Sequence, residues 1–409
     1  MESPSMNAKF LSCNGLGYSP AQMISALVHS YSKSPDWLQF ADHDIIFTYQ
    51  ARYAIALICQ LLHIGSGDEV IVPAYNCGAE VDPFVWAGAK VIFYRTDNKA
   101  SIDIEDIIRR VTPSTRIISV THFFGWPQEI RELGKWCKKR GIFLVEDCAQ
   151  SLFSKGPNNT IGLVGDAAIY SFVKSLPVPD GGALVLKKNI WNENKIFRPP
   201  RPRNIFLNSL PLLKKWFMQK NKFWQRYEFT RKLITKSWLN NTKGQRRELR
   251  PEMLKSNCLD EQKIDWSMSR LSKGVLSITN SYKIVERRRR NYQYLHNTLF
   301  NIPTFSPLFD GLPDNVCPLS FPAFVKDRNR WYKALSDKGI LVLGWPGYYP
   351  GFNWEEFPEA CNLKDNLLTL PVHQNLDIFH MEHIAKCVKF IAEGNDKSTK
   401  KLTNEFIIN

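Results

Sequence analysis

Apolar and polar positions in the first 190 residues alternate between short apolar runs and helical patterns. The apolar runs typical of strands lie at 45–47, 70–72, 90–94, 117–121, 142–145 and 167–172. Between them, helical patterns lie at 54–62, 102–111 and 130–139. Strands that alternate with helices at this spacing predict a mostly parallel sheet with helices on both faces.

The ends of the chain carry further elements. Ser19 followed by Pro20 predicts the start of an N-terminal helix, because serine caps helices and proline suits the first helical position. A long helical pattern covers 262–299, and short strands and helices over 319–393 are typical of a second, smaller α/β domain. We therefore expect a large domain at 1–190, an insertion at 191–258, and the long helix with the small domain at 259–409.

Composition narrows the class of protein. The chain has 409 residues, of which 44% are hydrophobic and 23% charged, as in soluble globular proteins. Nine cysteines occur without C-x-x-C or metal-like spacing with histidine, so neither a disulfide framework nor a metal site is expected. The N-terminus lacks a basic region before an apolar run, and no charge-free apolar stretch reaches spanning length. We expect a protein of the reducing cytoplasm.

The net charge of +15 belongs to one segment. Residues 187–255 hold 19 Lys and Arg against 4 Glu, and the rest of the chain holds 35 of each sign. Aromatic residues are interleaved with these charges: Trp216, Phe217, Phe223 and Trp224. This pattern is typical of a helix at an anionic membrane surface, here the inner face, and the alternatives are a solvated insertion or packing on a partner subunit. A motif for reading nucleic-acid bases is absent.

The candidate chemistry lies where two predicted strands end. The buried run 142–145 ends in Glu146 and Asp147, and ligands of open α/β sheets sit at the carboxyl ends of strands. A carboxylate there is costly to desolvate unless a cation meets it, and a protonated pyridine nitrogen is such a cation. Lys174 follows the next strand-like run. This Asp and Lys are the pair that pyridoxal 5'-phosphate (PLP) requires, the Lys as Schiff-base partner and the Asp at the ring nitrogen.

A set of motifs around this pair resembles the DegT/DnrJ/EryC1/StrS sugar aminotransferases, which are PLP enzymes of fold type I. The set comprises Glu146-Asp-Cys-Ala-Gln150, Gly165-Asp166, Ser171-Phe172, Lys174 and Gly181-Gly182, with further similarity at 67–73, 122–127 and 370–373. The resemblance implies an α/β/α large domain with a smaller C-terminal α/β domain. It also implies PLP-dependent transamination of a nucleotide-linked keto-sugar for glycan biosynthesis, with glutamate as the donor, by a homodimer.

The resemblance also implies roles for single residues. Lys174 would be catalytic, Asp147 would hold the ring nitrogen, and Ser171 would contact the phosphate. Gln150 would reach the ring oxygen or the substrate, and the alternative is a polar residue at a helix N-terminus. His122 is expected to be a satisfied histidine near a strand end more than a catalytic base.

Three positions depart from the family pattern. The turn that holds the phosphate reads Gln50-Ala51-Arg52-Tyr53, so the family glycine is replaced at Ala51 while Arg52 offers a guanidinium. The aromatic residue that stacks on the cofactor is replaced by Cys77, which leaves Tyr75 as the alternative. Only Val173 separates Ser171-Phe172 from Lys174, where the family has three residues.

Two other functions stay open at this point. One is a PLP-dependent sugar dehydratase, against which Lys174 argues, because those relatives carry histidine there. The other is a non-catalytic, membrane-associated protein that kept the fold, which the three departures favour.

Overall fold

The computed structural model describes residues 11–12, 16–28, 35–38, 40, 42–156, 161–188, 190–191, 195–220, 259–344 and 348–394. The strands are β1 (Leu11–Ser12), β2 (His43–Thr48), β3 (Glu69–Pro73), β4 (Lys90–Tyr94), β5 (Thr115–Thr121), β6 (Phe143–Asp147), β7 (Ala167–Ser171), β8 (Gly182–Lys187), β9 (Phe305–Pro307), β10 (Phe321–Val325), β11 (Ile340–Leu341), β12 (Leu343–Gly344) and β13 (Leu367–Leu370). The helices are α1 (Pro20–Val28), α2 (Ala51–Leu61), α3 (Gly78–Trp86), α4 (Ile104–Arg110), α5 (Arg131–Arg140), α6 (Phe172–Ser175), α7 (Pro202–Lys220), α8 (Arg270–Ser277), α9 (Ser281–Leu299), α10 (Arg328–Asp337), α11 (Pro358–Asn366) and α12 (Ile378–Ala392).

A seven-stranded sheet forms the centre of the large unit, in the order β2-β8-β7-β6-β5-β3-β4. Neighbouring strands from β4 to β7 run parallel, and β8 runs antiparallel between β7 and β2. Every residue of β3 and β7 is buried, as expected for strands covered on both faces. The predicted mostly parallel sheet is therefore confirmed.

Helices cover both faces of this sheet. Ile71 and Ile118 point to one face, where they pack with residues of α4 and α5. Val70, Val72 and Ile117 point to the other face, where they pack with α2 and α3. Because side chains alternate along a strand, one sheet supplies two separate cores, and the predicted α/β/α layering is confirmed.

A second, antiparallel sheet lies in the C-terminal part, in the order β12-β13-β10-β9. Its core contains residues of α9, α10 and α12, including Trp331, Leu335 and Ile384. The N-terminal strand β1 pairs in parallel with β11, so residues from both ends of the chain build this part. The domain boundaries at 190 and 258 stay a prediction, since residues 221–258 lie outside the described residues.

Two helical predictions differ in outcome. The N-terminal helix begins at Pro20, and Ser19 caps it by accepting the Gln22 N–H at 3.0 Å. The single helix expected over 262–299 was wrong, because the structure has α8 and α9 with a break between them. Asn280 causes the break, since its side chain accepts the Lys283 N–H at 3.0 Å and starts a new helix.

Among the described residues, every helix is too short or too polar to cross a membrane.

Candidate active site

The carboxyl ends of β6 and β7 bring the predicted pair together. The two strands are parallel neighbours, with Asp147 opposite Ile169. Asp147 is the last residue of β6, and Lys174 lies in the short helix α6, which directly follows β7. Because parallel strands end at the same edge of a sheet, residues 27 positions apart in the chain meet in one site.

Asp147 is a buried carboxylate with few groups that compensate the loss of its hydration. It is 3% exposed, and its Oδ1 accepts the Ala149 N–H at 2.8 Å. Burial raises the pKa of Asp147 above its ordinary value, and the charge of Lys174 opposes that rise. A carboxylate in this state is stabilised strongly by any further cation that reaches it.

Lys174 faces several acidic groups. Burial disfavours its ammonium form, but Cys77, Glu80 and Asp147 hold the pKa of Lys174 above its ordinary value. Arg52 acts in the opposite sense, which places its guanidinium near the same amine. The structure thus joins Lys174, Asp147, Cys77 and Arg52 in one electrostatic cluster.

The turn before α2 approaches this cluster from the sheet edge. Gln50 is the N-cap of α2 in an extended conformation, and its side chain makes no capping hydrogen bond. Gly182 of β8 lies so close that a Cβ there would be 2.5 Å from the Ala51 nitrogen. Ala51 and Arg52 are partly buried in the first helical turn, and Tyr53 is buried beside Tyr49. The start of α2 therefore offers backbone N–H groups and a guanidinium to an anion.

Ser171 and Lys174 are joined by the single turn of α6. Ser171 is buried at the N-cap of α6, and its side chain makes no capping hydrogen bond. The Phe172 N–H donates to the Gly181 carbonyl at 3.1 Å, which fixes the turn against the following strand. The short spacing between Ser171 and Lys174 is thus accommodated by a tight helical turn.

The side-chain amide of Gln150 has a hydrogen-bond partner for its oxygen but none for its nitrogen among the described residues. The side chain is 1% exposed, and its Oε1 accepts the Phe124 N–H at 3.1 Å. Its Nε2 finds no hydrogen-bond partner among the described residues. Phe124 has a φ of 56°, an uncommon value for a bulky residue, and this conformation accompanies the contact with Gln150. A buried amide donor without a partner is a binding group for a ligand oxygen.

Tyr75 and Cys77 lie in the turn between β3 and α3. Tyr75 is fully buried, with its ring 5.1 Å from that of Phe123. Cys77 is the N-cap of α3, and its Sγ donates to Glu80 Oε1 at 3.4 Å. Burial raises the pKa of Cys77 to about 12, and the charge of Lys174 opposes that rise.

Sequence reasoning missed two residues of this region, Glu80 and Lys364. Glu80 lies three positions after Cys77, a spacing that a search for capping carboxylates at helix starts would find. Lys364 comes from α11, and its Nζ donates to the Asn76 carbonyl at 3.0 Å. The sequence around Lys364 gives no local signal of this contact, because Asn76 lies 288 residues away.

His122 is held by a closed set of hydrogen bonds. Its Nε2 donates to Glu146 Oε2 at 3.0 Å, and its Nδ1 accepts the Gln128 N–H at 2.9 Å. Although burial opposes ionisation, the bond from His122 holds the pKa of Glu146 below its ordinary value. Cys148 lies within 4.8 Å of both. Since both ring nitrogens are engaged, this arrangement is that of a satisfied structural histidine.

Comparison with known proteins agrees with this geometry. Residues 42–198 match the DegT/DnrJ/EryC1/StrS aminotransferase family, which confirms the predicted resemblance over that segment. The chain is 29% identical over 153 residues to dTDP-4-dehydro-2,3,6-trideoxy-D-glucose 4-aminotransferase of Saccharopolyspora spinosa, which is 35% of this chain and 40% of that protein. It is 33% identical over 135 residues to GDP-perosamine synthase of Escherichia coli O157:H7, which is 32% and 37% of the two chains. The matches thus span about two fifths of these relatives' length.

Solved structures match over nearly the whole chain. Helicobacter pylori PseC, an aminotransferase involved in the biosynthesis of pseudoaminic acid, superposes with a TM-score of 0.62 at 16% identity over 93% of both chains. The Streptococcus pneumoniae protein Spr1654 in its PLP form gives a TM-score of 0.62 at 18% identity, also over 93% of both. These similarities confirm the predicted fold, that of sugar aminotransferases of fold type I.

Proposed function

We propose that this chain, whose residues 42–198 match the DegT/DnrJ/EryC1/StrS family, is a PLP-dependent aminotransferase that converts a nucleotide-linked keto-sugar into an amino sugar. The observation that carries the proposal is the meeting of Lys174 and Asp147 at the ends of neighbouring parallel strands. The relatives named above act on dTDP- and GDP-linked sugars, which supports the substrate class. Glutamate is the proposed amino donor, for glycan biosynthesis.

The residues present fit PLP at three points. The unpartnered Nε2 of Gln150 is available to an oxygen on the ring, and the desolvated carboxylate of Asp147 suits a protonated ring nitrogen. We assign the phosphate to the start of α2, where Gly182 packs closely on Ala51 and where Arg52 and Ser171 lie nearby. These groups match the ring oxygen, ring nitrogen and phosphate of one ligand.

Each side chain has a separate task in the proposed reaction. PLP, when bound, supplies an electron sink for the carbon that carries the transferred amino group. Asp147 would hold a proton on the ring nitrogen. Lys174 would hold the cofactor, and its Nζ would carry a proton once released. Tyr75 and Cys77 line the turn where the family has an aromatic residue, so we assign the packing on the ring to this turn.

Reductive trapping tests the proposal. Purified protein is mixed with PLP, reduced with borohydride and digested, and we expect the phosphopyridoxyl label on Lys174. Lys174→Met should lose the label, while Lys187→Met, at the end of β8, should keep it. In a separate sample that is not reduced, the protein loaded with PLP should release one equivalent of 2-oxoglutarate from glutamate. Labelling of another lysine, or none at saturating PLP, contradicts the proposal.

We further propose that the protein is a cytoplasmic homodimer whose active site is shared between the subunits. We also propose that α7 contacts an anionic membrane surface. The inner side of α7 packs on the large unit, since Leu212 and Ser209 are buried and Asn208 donates to the Tyr49 hydroxyl at 2.9 Å. Its outer side exposes four large apolar side chains among basic ones: Phe206, Leu207, Leu210 and Phe217. An amphipathic helix of this kind suits an interface.

A further inference from the structure

Arg288 is a buried arginine that reaches the turn of Lys174 from the C-terminal part of the chain. It lies on α9 and is 1% exposed. Its Nη2 donates to the Ser175 carbonyl at 3.3 Å. Ser175 directly follows Lys174 and is the last residue of α6. The contact therefore joins α9 to the residue next to the lysine that we propose binds the cofactor.

Gln374, in the turn between β13 and α12, binds the same carbonyl group. Its Nε2 donates to the Ser175 carbonyl at 2.9 Å, and its Oε1 accepts the Arg288 Nε–H at 2.9 Å. The two side chains and the carbonyl thus form a closed triangle of hydrogen bonds. Because each side chain orients the other, the carbonyl meets two donors in defined positions.

The α6 turn needs donors from outside itself. It has only four residues, and the last carbonyl groups of a helix have no partner within that helix. Ser175 is 3% exposed, so its carbonyl is shielded from water and requires a donor from the protein. A single helical turn is also unstable without tertiary contacts. The place of Lys174 therefore depends on bonds that α6 cannot supply.

The charge of Arg288 strengthens its bonds to neutral groups. Its Nη1 donates to the carbonyls of Pro318 and Leu319, each at 3.2 Å. Within the described ranges, all acceptors bonded to this guanidinium are uncharged oxygens. Hydrogen bonds from a charged donor are shorter and stronger than those from a neutral one. Arg288 therefore links α6 firmly to the segment that contains Pro318 and Leu319.

We propose that Arg288 and Gln374 are positioning residues for Lys174. They hold the Ser175 carbonyl, which fixes the α6 turn and with it the place of Lys174. The inference rests on the proposed function, because the lysine that they place is the one proposed to bind PLP. The competing explanation is a structural link that stabilises the fold without setting the place of Lys174.

The experiment compares how tightly PLP and pyridoxamine 5'-phosphate bind to the full-length chain. The two compounds share the ring and the phosphate, but pyridoxamine 5'-phosphate has an amine in place of the aldehyde and forms no covalent bond with a lysine. The ratio of the two affinities therefore reports how well Lys174 is placed. Arg288→Met should lower this ratio about tenfold, because a bond from a charged donor is lost. A merely structural link predicts that both affinities fall together and that the ratio stays the same.

Arg289→Met is the matched control. Arg289 lies on the same helix and also donates to backbone carbonyls, those of Pro313, Asp314 and Val316. Since none of these acceptors belongs to α6, the control should keep the affinity ratio of the native protein.

A second variant, Gln374→Glu, covers the case in which Arg288→Met does not fold. The carboxylate keeps an acceptor for the Arg288 Nε–H and adds an ion pair, but it cannot donate to the Ser175 carbonyl. The ratio should fall by about threefold, less than in Arg288→Met because the bond from Arg288 Nη2 remains. An unchanged ratio in every folded variant of Arg288 and Gln374, or an equal fall in Arg289→Met, overturns the proposal.

Amide hydrogen exchange of the cofactor-free protein separates this result from failure of the proposed function. The Leu176 N–H donates to the Phe172 carbonyl at 2.8 Å across the α6 turn. It should exchange faster in Arg288→Met and Gln374→Glu than in the native protein and Arg289→Met. If the native protein binds neither compound while this exchange rises, the cofactor proposal is lost and the hold on the α6 turn is supported. If PLP labels Lys174 but neither the ratio nor the exchange changes, the aminotransferase proposal stands and the positioning role is lost.

Discussion

At the scale of single residues, the site contains a buried cation, Lys364. It is 2% exposed, and its Nζ lies 5.1 Å from the centre of the Trp354 ring and 5.9 Å from that of Tyr75. These contacts and the bond to the Asn76 carbonyl compensate only part of the desolvation of the ammonium. Burial accordingly lowers the pKa of Lys364 to about 8.

The first prediction concerns the pH dependence of stability. Between about pH 8 and the ordinary lysine value of 10.5, the unfolded chain keeps the Lys364 proton that the folded chain has lost. Stability should therefore rise with pH in this window, by up to about 1.4 kcal/mol per pH unit from this group. Lys364→Met should remove that contribution, which urea unfolding at pH 8, 9 and 10 measures as a difference from the native protein.

Other groups titrate in the same range, so a surface variant is needed for comparison. Lys135→Met removes an exposed lysine on α5 and should leave the slope of the native protein unchanged. Parallel stability curves for Lys364→Met and the native protein would show that Lys364 keeps an ordinary pKa.

At this scale, the sequence revealed the residues whose partners are close in the chain. Asp147 and Lys174 lie at the ends of adjacent strands, so their meeting follows from the alternation of strands and helices. Lys364 could not be predicted, because its place beside Asn76 depends on how the C-terminal part packs on the large unit. The placement of Gln150 could not be predicted either, since its Oε1 accepts the N–H of Phe124, a residue with a positive φ.

At the scale of elements, strand positions were predictable while strand order was not. Continuous apolar runs mark buried strands, and the predicted runs at 70–72, 90–94 and 117–121 fall within β3, β4 and β5. Apolar content does not encode direction, so the antiparallel course of β8 between β2 and β7 needed the structure. The pairing of β1 with β11 joins residues more than 300 positions apart, which no local pattern signals.

The second prediction concerns the break between α8 and α9. Asn280 accepts the Lys283 N–H and is followed by a 19-residue helix, so it sets where α9 begins. Asn280→Ala should lower the free energy of unfolding by about 1 kcal/mol, because a first-turn N–H loses its acceptor. Asn280→Asp keeps an acceptor at the same position and should retain native stability. Equal losses in both variants, measured by urea unfolding, would assign the effect to packing and not to capping.

At the scale of the whole molecule, charge is distributed unevenly. Residues 187–255 carry 19 basic and 4 acidic residues, and the remainder carries equal numbers of each. The described part of this segment includes Arg201, which directly precedes α7, and Arg203 and Lys214 within α7, and all three are exposed. The predicted insertions of Phe223 and Trp224 lie outside the described residues. The arrangement places cations and apolar groups on one surface of the protein.

The third prediction follows from that surface. Each Lys or Arg near an anionic membrane contributes roughly 1 kcal/mol, so Arg201, Arg203 and Lys214 together contribute about 3 kcal/mol, to which the apolar side chains add. The protein should therefore co-sediment with anionic vesicles more than with neutral ones. Binding should weaken between about 0.1 and 1 M salt, because the Debye length falls from about 10 to about 3 Å.

A matched pair of variants separates the membrane from a partner subunit as the occupant of this surface. Phe206→Ser combined with Leu210→Ser should lose most vesicle binding. Ile24→Ser combined with Val28→Ser, which changes two exposed apolar residues of α1, should retain it. Sedimentation equilibrium of the same proteins gives their oligomeric state. If the α7 variant becomes monomeric and the native protein does not bind vesicles, the outer side of α7 is a subunit contact and the membrane proposal is wrong. If the variant keeps the oligomeric state of the native protein and loses only vesicle binding, the result supports the membrane proposal.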